Sequence, residues 1–315
     1  MKKKVITAIL LASLGMSLAA CGSSSDSSAA DTTEATGEAQ ASEDAAAEAD
    51  TAEASDFDSD SDISVISRED GSGTRGAFIE LTGVEEKNGD EKVDMTTEDA
   101  QIANSTSIVL TSVAGDDYAI GYVSLGALDD SVKALQVGGV DATAENIKSG
   151  DYTLARPFNI VTKDGMDNEV AQDFINYIFS ADGQAVVEEE GYIAVDTADY
   201  ESSQPSGKLV IGGSSSVSPL MEKLVEAYEQ VNPNAELELQ TTDSTTGVSS
   251  TQDGTYDIGM ASRDLKDTET GVTSQAIATD GIAVVVNNNN PLSDISVDMI
   301  KQIYTGEVTS WADVQ

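Results

Sequence analysis

Three stretches of the chain place small hydroxyl residues and glycines where a strand gives way to a helix. They are residues 67–78 (SREDGSGTRGAF), 211–220 (IGGSSSVSPL) and 243–248 (DSTTGV). The first turn of a helix leaves backbone N–H groups without partners and carries about half a positive charge, so each junction can aim donors at one point. A single junction of this kind reads as an ordinary Ser or Thr helix cap. Three in one chain predict a site for a small oxyanion, with Ser72, Gly73, Thr74, Ser215, Ser216 and Ser244 as donors. Arg68 and Arg75 border the first junction, and a planar guanidinium can give an oxyanion two parallel hydrogen bonds. Arg68 is expected to meet the ligand; for Arg75, pairing with the acidic surface is an equal alternative. Arg263 and Asp264, after a candidate strand at 258–261, form a further polar pair.

Catalysis is harder to build from these residues. The chain has no histidine, which removes the commonest general base and metal ligand. Ser72 and Ser215 have no persuasive lysine base beside them, so a serine nucleophile is not expected. The Walker pattern is missing, and GSGTRG spans too few residues for a dinucleotide fingerprint. A binding protein without enzymatic activity, cofactor or metal is the expectation.

Three regions precede or interrupt the folded part. Lys2, Lys3 and Lys4, an apolar run over 5–18, and Ala19 with Ala20 read as an export signal. Residues 22–62 contain 13 acidic residues and no basic one, with Phe57 as the sole aromatic, and predict a disordered acidic tether. Removing the three signal lysines leaves 57 acidic residues against 13 basic ones, a formal charge of −44. Such a chain repels nucleic acid and anionic head groups. It also repels an anion at long range, so attraction must come from short-range donors inside the screening length of about 8–10 Å. Residues 202–207 (SSQPSG) read as an internal linker.

From residue 63 onward, β-branched runs alternate with amphipathic stretches, which predicts an α/β protein. Strands are expected at 63–66, 108–113, 120–123, 158–162, 209–211, 237–240, 258–261 and 282–286. Helices are expected at 73–81, 169–179, 181–190, 219–231 and 297–303.

Two resemblances add to this reading. Leu18, Ala19, Ala20 and Cys21 resemble the lipobox of bacterial lipoproteins, which implies cleavage before Cys21 and a diacylglycerol on its sulfur. The segments 211–220, 257–263 (DIGMASR), 303–311 (IYTGEVTSW) and 67–75 (SREDGSGTR) resemble the phosphate-binding lipoproteins of Pst-type ABC importers, over essentially all of 63–315. That resemblance implies a two-lobe periplasmic-binding-protein type II fold with a ligand cleft between the lobes. It also implies extracytoplasmic phosphate binding, delivery to a membrane permease, and lipid anchoring to the outer face of the cell membrane. A phosphate sensor or surface adhesion protein is the alternative.

Family site residues carry over onto Arg68, Ser72, Gly73, Thr74, Ser215, Ser216 and Ser244. The acceptor carboxylate falls near Asp264, or Arg263 takes that place. The family's first segment corresponds to 208–311 and its second to 63–195, the reverse of the order here. A circular permutation follows, with 202–207 joining the old ends and the new ends near Ile63 and Gln315; a truncated or fused product is the alternative. Crossovers are expected near 156–162 and 280–286, which makes lobe A 160–282 and lobe B 63–159 with 283–315.

Overall fold

A computed structural model describes residues 57–88 and 91–314. The predicted signal, Cys21 and the tether before residue 57 lie outside the described residues. The first half of the chain forms β1 (Ser64–Arg68), α1 (Gly73–Thr82), β2 (Glu85–Asn88), β3 (Glu91–Asp94), β4 (Gln101–Ala103), α2 (Thr106–Ala114), β5 (Ala119–Ser124), β6 (Lys133–Ala134), β7 (Gln136–Val137), α3 (Ala144–Ser149) and β8 (Ala155–Lys163). The second half forms α4 (Glu169–Ile178), α5 (Ala181–Glu189), β9 (Ile193–Ala194), β10 (Gly207–Ser214), α6 (Ser218–Val231), β11 (Ala235–Thr242), α7 (Ser244–Asp253), β12 (Ile258–Ala261), β13 (Val272–Val286), β14 (Asp294–Ile295) and α8 (Val297–Tyr304).

The main sheet runs β11-β10-β12-β8-β13-β5-β1-β4. At one end β10 is parallel to β11 and β12; at the other β1 is parallel to β4 and β5. Between these parallel sets, β8 and β13 run antiparallel from Val272 opposite Lys163 to Gly281 opposite Ala155. Past Gly281, β13 turns its pairing to β5. The apolar run of Ile282, Ala283, Val284, Val285 and Val286 is fully buried, as a strand covered on both faces requires.

Two principal cores flank this junction. Phe158, Phe174, Leu209, Leu224, Tyr228, Met260 and Ile277 belong to one. Phe78, Tyr122, Ile282, Val284, Ile303, Tyr304 and Trp311 belong to the other, where Phe78 stacks on Tyr122 with ring centroids 3.9 Å apart. Among the described residues no helix is long and apolar enough to cross a membrane.

The expected strand at 108–113 is instead the body of α2. Ser105 caps the helix by accepting from the Ile108 N–H, and only Thr106, Val109 and Val113 are buried, a helical spacing that leaves Ile108 exposed. The cap and the one-sided burial override the strand preference of its β-branched residues. Helix α7 begins at the third junction, as expected, capped by Asp243, and it packs closely through Gly247, where an added methyl would sit 2.9 Å from the Gly213 Cα and 2.7 Å from the Met260 carbonyl oxygen.

Both soft segments are tied down where they meet the fold. Phe57, expected in the tether, packs against Tyr118 and Trp311, with ring centroids 5.1 and 6.0 Å away. Asp62 bridges to Ser310, and the Ile63 N–H donates to the Thr309 carbonyl at 2.8 Å. The stretch 202–207 is held by Asp173, which accepts from the Ser202 hydroxyl (2.8 Å), the Ser203 N–H (3.1 Å), the Tyr200 hydroxyl (3.1 Å) and the Tyr228 hydroxyl (2.8 Å). Burial alone would push the Asp173 carboxyl up, but these hydrogen bonds outweigh it and hold it below the usual range. Asp173→Ala should therefore destabilise the fold by about 1–3 kcal/mol, since it strands the buried Tyr228 hydroxyl and releases the donors of 200–203 to solvent. Chemical denaturation measures this, and a loss below about 0.5 kcal/mol would show that 202–207 is not anchored through Asp173.

Candidate functional site

Arg68 ends β1 and is 2% exposed. Its N–H donates to the Tyr122 hydroxyl at 3.0 Å, and its carbonyl accepts from the Arg75 guanidinium at 2.7 Å, so the backbone is fixed on both sides. Its own guanidinium is shared. Nε and one terminal nitrogen grip the Glu69 carboxylate at 2.8 and 2.7 Å, the second terminal nitrogen reaches the Thr106 hydroxyl at 3.2 Å, and the Ser215 hydroxyl lies at 3.0 Å. A buried guanidinium needs such partners, because burying a charge without them costs several kcal/mol, roughly.

Around Arg68 the hydroxyls of the two cores meet. From the side of Phe78 and Tyr122 come Thr74 and Thr106; from the side of Leu224 and Met260 come Ser215 and Ser216. Thr74 lies 2.7 Å from Ser216, and Thr106 lies 3.1 Å from Ser216 and 3.4 Å from Ser215, oxygen to oxygen. Next to them, the Ser262 hydroxyl bonds those of Ser214 (3.0 Å) and Ser244 (3.3 Å). Gly73 lets the two sides touch: a methyl there would sit 2.6 Å from the Ser244 oxygen and 2.7 Å from that of Ser262. The Gly71 carbonyl also accepts from the Thr245 N–H at 3.1 Å.

Four helices begin at this cluster: α1 with Gly73 and Thr74, α2 with Thr106, α6 just after Ser215 and Ser216, and α7 with Ser244. None of the four has an acidic residue in its first turn. The helices that start elsewhere, α3, α4, α5 and α8, carry Glu145, Glu169, Asp182 and Asp298 there. An acid in the first turn neutralises the positive end of the helix dipole, so in this acidic chain the positive ends are left uncompensated at the cluster. Asp243 caps α7, but its carboxylate is occupied by the N–H and hydroxyl of Thr246. The arrangement can hold a small anion among backbone donors, hydroxyls and one arginine.

The structure brings together Arg68, Gly73, Thr74, Ser215, Ser216 and Ser244 from the residues expected by sequence. Ser72 is buried beside them, with its hydroxyl accepting from the Arg75 N–H as the cap of α1. Arg75 turns outward to Asp94 and Asp70, the surface pairing foreseen as one of its two readings. Arg263 and Asp264 are not brought into the cluster: Arg263 is gripped by Glu269 at 2.8 and 2.7 Å, and Asp264 is exposed. The residue of that loop that does reach the hydroxyls is Ser262, one position before the pair.

Thr106, Ser214 and Ser262 were missed by sequence reasoning. The run Ser105, Thr106, Ser107 was a visible signal, hidden by assigning the next residues to a strand, which has no first turn of free N–H groups.

Comparison with known proteins accords with this geometry. Residues 50–182 and 198–315 match the family described as PBP superfamily domain. The chain is 42% identical over 316 residues to phosphate-binding protein PstS 2 of Streptococcus pneumoniae serotype 4, covering 99% of each chain. The chain belongs to the PstS family. It is also 56% identical over 256 residues to PstS 2 of Streptococcus agalactiae serotype V, which covers 80% of this chain and 87% of that one. A crystal structure of a phosphate ABC transporter phosphate-binding protein from Streptococcus pneumoniae TIGR4 superposes with a TM-score of 0.64 at 46% identity, over 81% of this chain and all of that one. The architecture of this PstS-family chain is thus the two-lobe α/β fold of periplasmic binding proteins, with a cleft between the lobes.

Where the lobes of this PstS-family chain join, Arg156 on β8 faces its register partner Asp280 on β13. The guanidinium bonds the carboxylate at 3.1 and 3.3 Å, Ser124 donates to the same carboxylate at 2.9 Å, and another Arg156 nitrogen reaches the Ser262 carbonyl at 3.4 Å. Burial pushes the Asp280 carboxyl from 3.8 up to about 6, against the pull of Arg156 and Ser124. The folded chain therefore holds an extra proton between about pH 4 and 6. This group favours folding below that window, and its contribution is lost as pH rises through it. Asp280→Asn removes the titration, so its unfolding midpoint relative to the unaltered chain should climb from pH 4 to 7, whatever the offset from losing the ion pair. A difference that stays flat with pH would refute the assignment.

Proposed function

We propose that this protein captures inorganic phosphate outside the cytoplasm and delivers it to an ABC-type membrane permease, with no chemical step. The observation that carries the reading is the convergence of four acid-free helix starts on buried Arg68. The names of its relatives in two streptococci give the anion its identity. Arg68, Ser72, Gly73, Thr74, Ser215, Ser216 and Ser244 form the proposed phosphate ring. Arg263 and Asp264 stay outside it, so the phosphate proton meets hydroxyl oxygens, which can accept as well as donate.

Lobe A is taken as 160–282 and lobe B as 63–159 with 283–315, with Arg68, Gly73 and Thr74 on B and the three serines on A. Bonds such as Arg68 to Ser215 and Thr74 to Ser216 exist only when the lobes are together, so a ligand that bridges them favours closure.

The exchanged order of segments is read as a circular permutation. Two features support it: Asp62 and Ile63 lie beside Thr309 and Ser310, and 202–207 makes a short, anchored join between the segments. The pneumococcal relative matches over 99% of both chains, which favours an inherited order over a truncated or fused product. Cys21 is the proposed lipid attachment site, with the acidic tether raising the lobes from the membrane surface.

Calorimetric titration with phosphate and sulfate tests the reading. Phosphate should bind, and its failure to bind would overturn the reading; the sulfate titration measures how far hydroxyls, which can donate to either anion, tell the two apart. Arg68→Ala should weaken phosphate binding by about 2 kcal/mol or more, as expected for a desolvated charged partner.

A further inference from the structure

Thr106 is the first residue of α2, and its hydroxyl is not needed to build that helix, because the Ser105 side chain already supplies the cap. The Thr106 side chain is nonetheless buried, at 5% exposure, and turned into the hydroxyl cluster. Its oxygen accepts from the Arg68 guanidinium at 3.2 Å, which leaves the hydroxyl proton to be given elsewhere. The oxygens within reach are those of Ser216 at 3.1 Å and Ser215 at 3.4 Å, both neutral and both able to donate themselves.

The backbone N–H is similarly placed. As the first N–H of a helix it has no partner within α2, and it reaches the Ser215 oxygen only at a long 3.4 Å. One residue therefore directs two donors into the cluster, each toward a weak acceptor, beside an arginine. An anionic oxygen is a stronger acceptor than either serine. Thr106 and Ser215 also line a cavity of about 320 Å³ between the starts of α2 and α6, so Thr106 stands at the edge of the cluster nearest that opening.

We propose that Thr106 is a direct ligand of the bound oxyanion, donating through both its hydroxyl and its backbone N–H, and that α2 is a fourth anion-binding helix start. This rests on the reading of the cluster as an oxyanion site. Without Thr106, the lobe that carries Arg68 would present that guanidinium and one helix start, α1. With it, the anion is held on that lobe from two helix ends, matching α6 and α7 on the other.

The test is calorimetric titration of the full chain and of Thr106→Ser, Thr106→Val and Thr106→Ala with phosphate, arsenate and sulfate, together with unfolding temperatures measured with and without each anion. Thr106→Ser should bind phosphate within about threefold of the unaltered chain, and Thr106→Val and Thr106→Ala at least tenfold more weakly, with a smaller phosphate-induced rise in unfolding temperature. Ligand-free unfolding temperatures identify any variant that fails to fold; Thr106→Ala then serves in place of Thr106→Val. Tight phosphate binding by a folded Thr106→Val or Thr106→Ala would overturn the role of Thr106 while leaving the functional reading intact. Failure of the unaltered chain to bind any of the three anions would overturn both.

Discussion

The buried guanidinium of Arg68 is the constraint around which the site is built. A charge this deep must be hydrogen-bonded in several directions, and the fold supplies partners from three sources. Glu69 holds two nitrogens from the adjoining position, while Thr106 and Ser215 reach in from separate helix starts. Ser215 follows β10, at the other end of the main sheet from β1, so the position of Arg68 depends on both ends of the fold. The backbone behind it is fixed by Tyr122, whose ring stacks on Phe78, and Phe78 in turn meets Tyr304 edge-on at 4.7 Å. Core packing and site geometry are therefore coupled through one aromatic group.

Electrostatics at the site act against the chain as a whole. With 57 acidic residues and 16 basic ones, the average field around the protein is negative. Salt screens that field within about 8–10 Å, whereas helix ends act over a single turn and strengthen where water is excluded. The distribution of first-turn acids uses this difference. Helices that begin elsewhere are compensated by their own carboxylates, and those that begin at the cluster carry none in their first turns. Arg68 at the centre of the cluster is matched by Glu69, so the cluster's net charge is modest and its donors are mostly neutral hydroxyls and backbone N–H groups.

The joint of the two lobes carries a different kind of polar group. Arg156 and Asp280 face one another across β8 and β13, where the strands pass between cores, and Arg156 touches the loop that presents Ser262. A buried pair of this sort is weak evidence for stability, since desolvation offsets most of the attraction. Its position links the strands that join the lobes to one wall of the cluster.

The glycine and hydroxyl junctions, and Arg68 among them, were legible in the sequence because helix starts and arginine chemistry are local properties. Seven of the eight expected strands were legible for the same reason, as short β-branched or apolar runs that take their places in the main sheet. The eighth, 108–113, was misread: its β-branched residues favour a strand in isolation, and the Ser105 cap with the packing of Val109 and Val113 on one side makes it a helix. With that helix hidden, so was Thr106. Arg263 and Asp264 were misplaced because sequence adjacency to a strand end does not say which way the loop turns; Glu269, six residues on, draws Arg263 away, and Ser262 faces the cluster instead. The sequence by itself determined which donors the chain possesses and that they cluster at strand-to-helix junctions, since these follow from residue type and short-range spacing. Which junctions meet, and which residue of each faces inward, was decided only by the tertiary structure, because it depends on how two separate cores pack across β8 and β13.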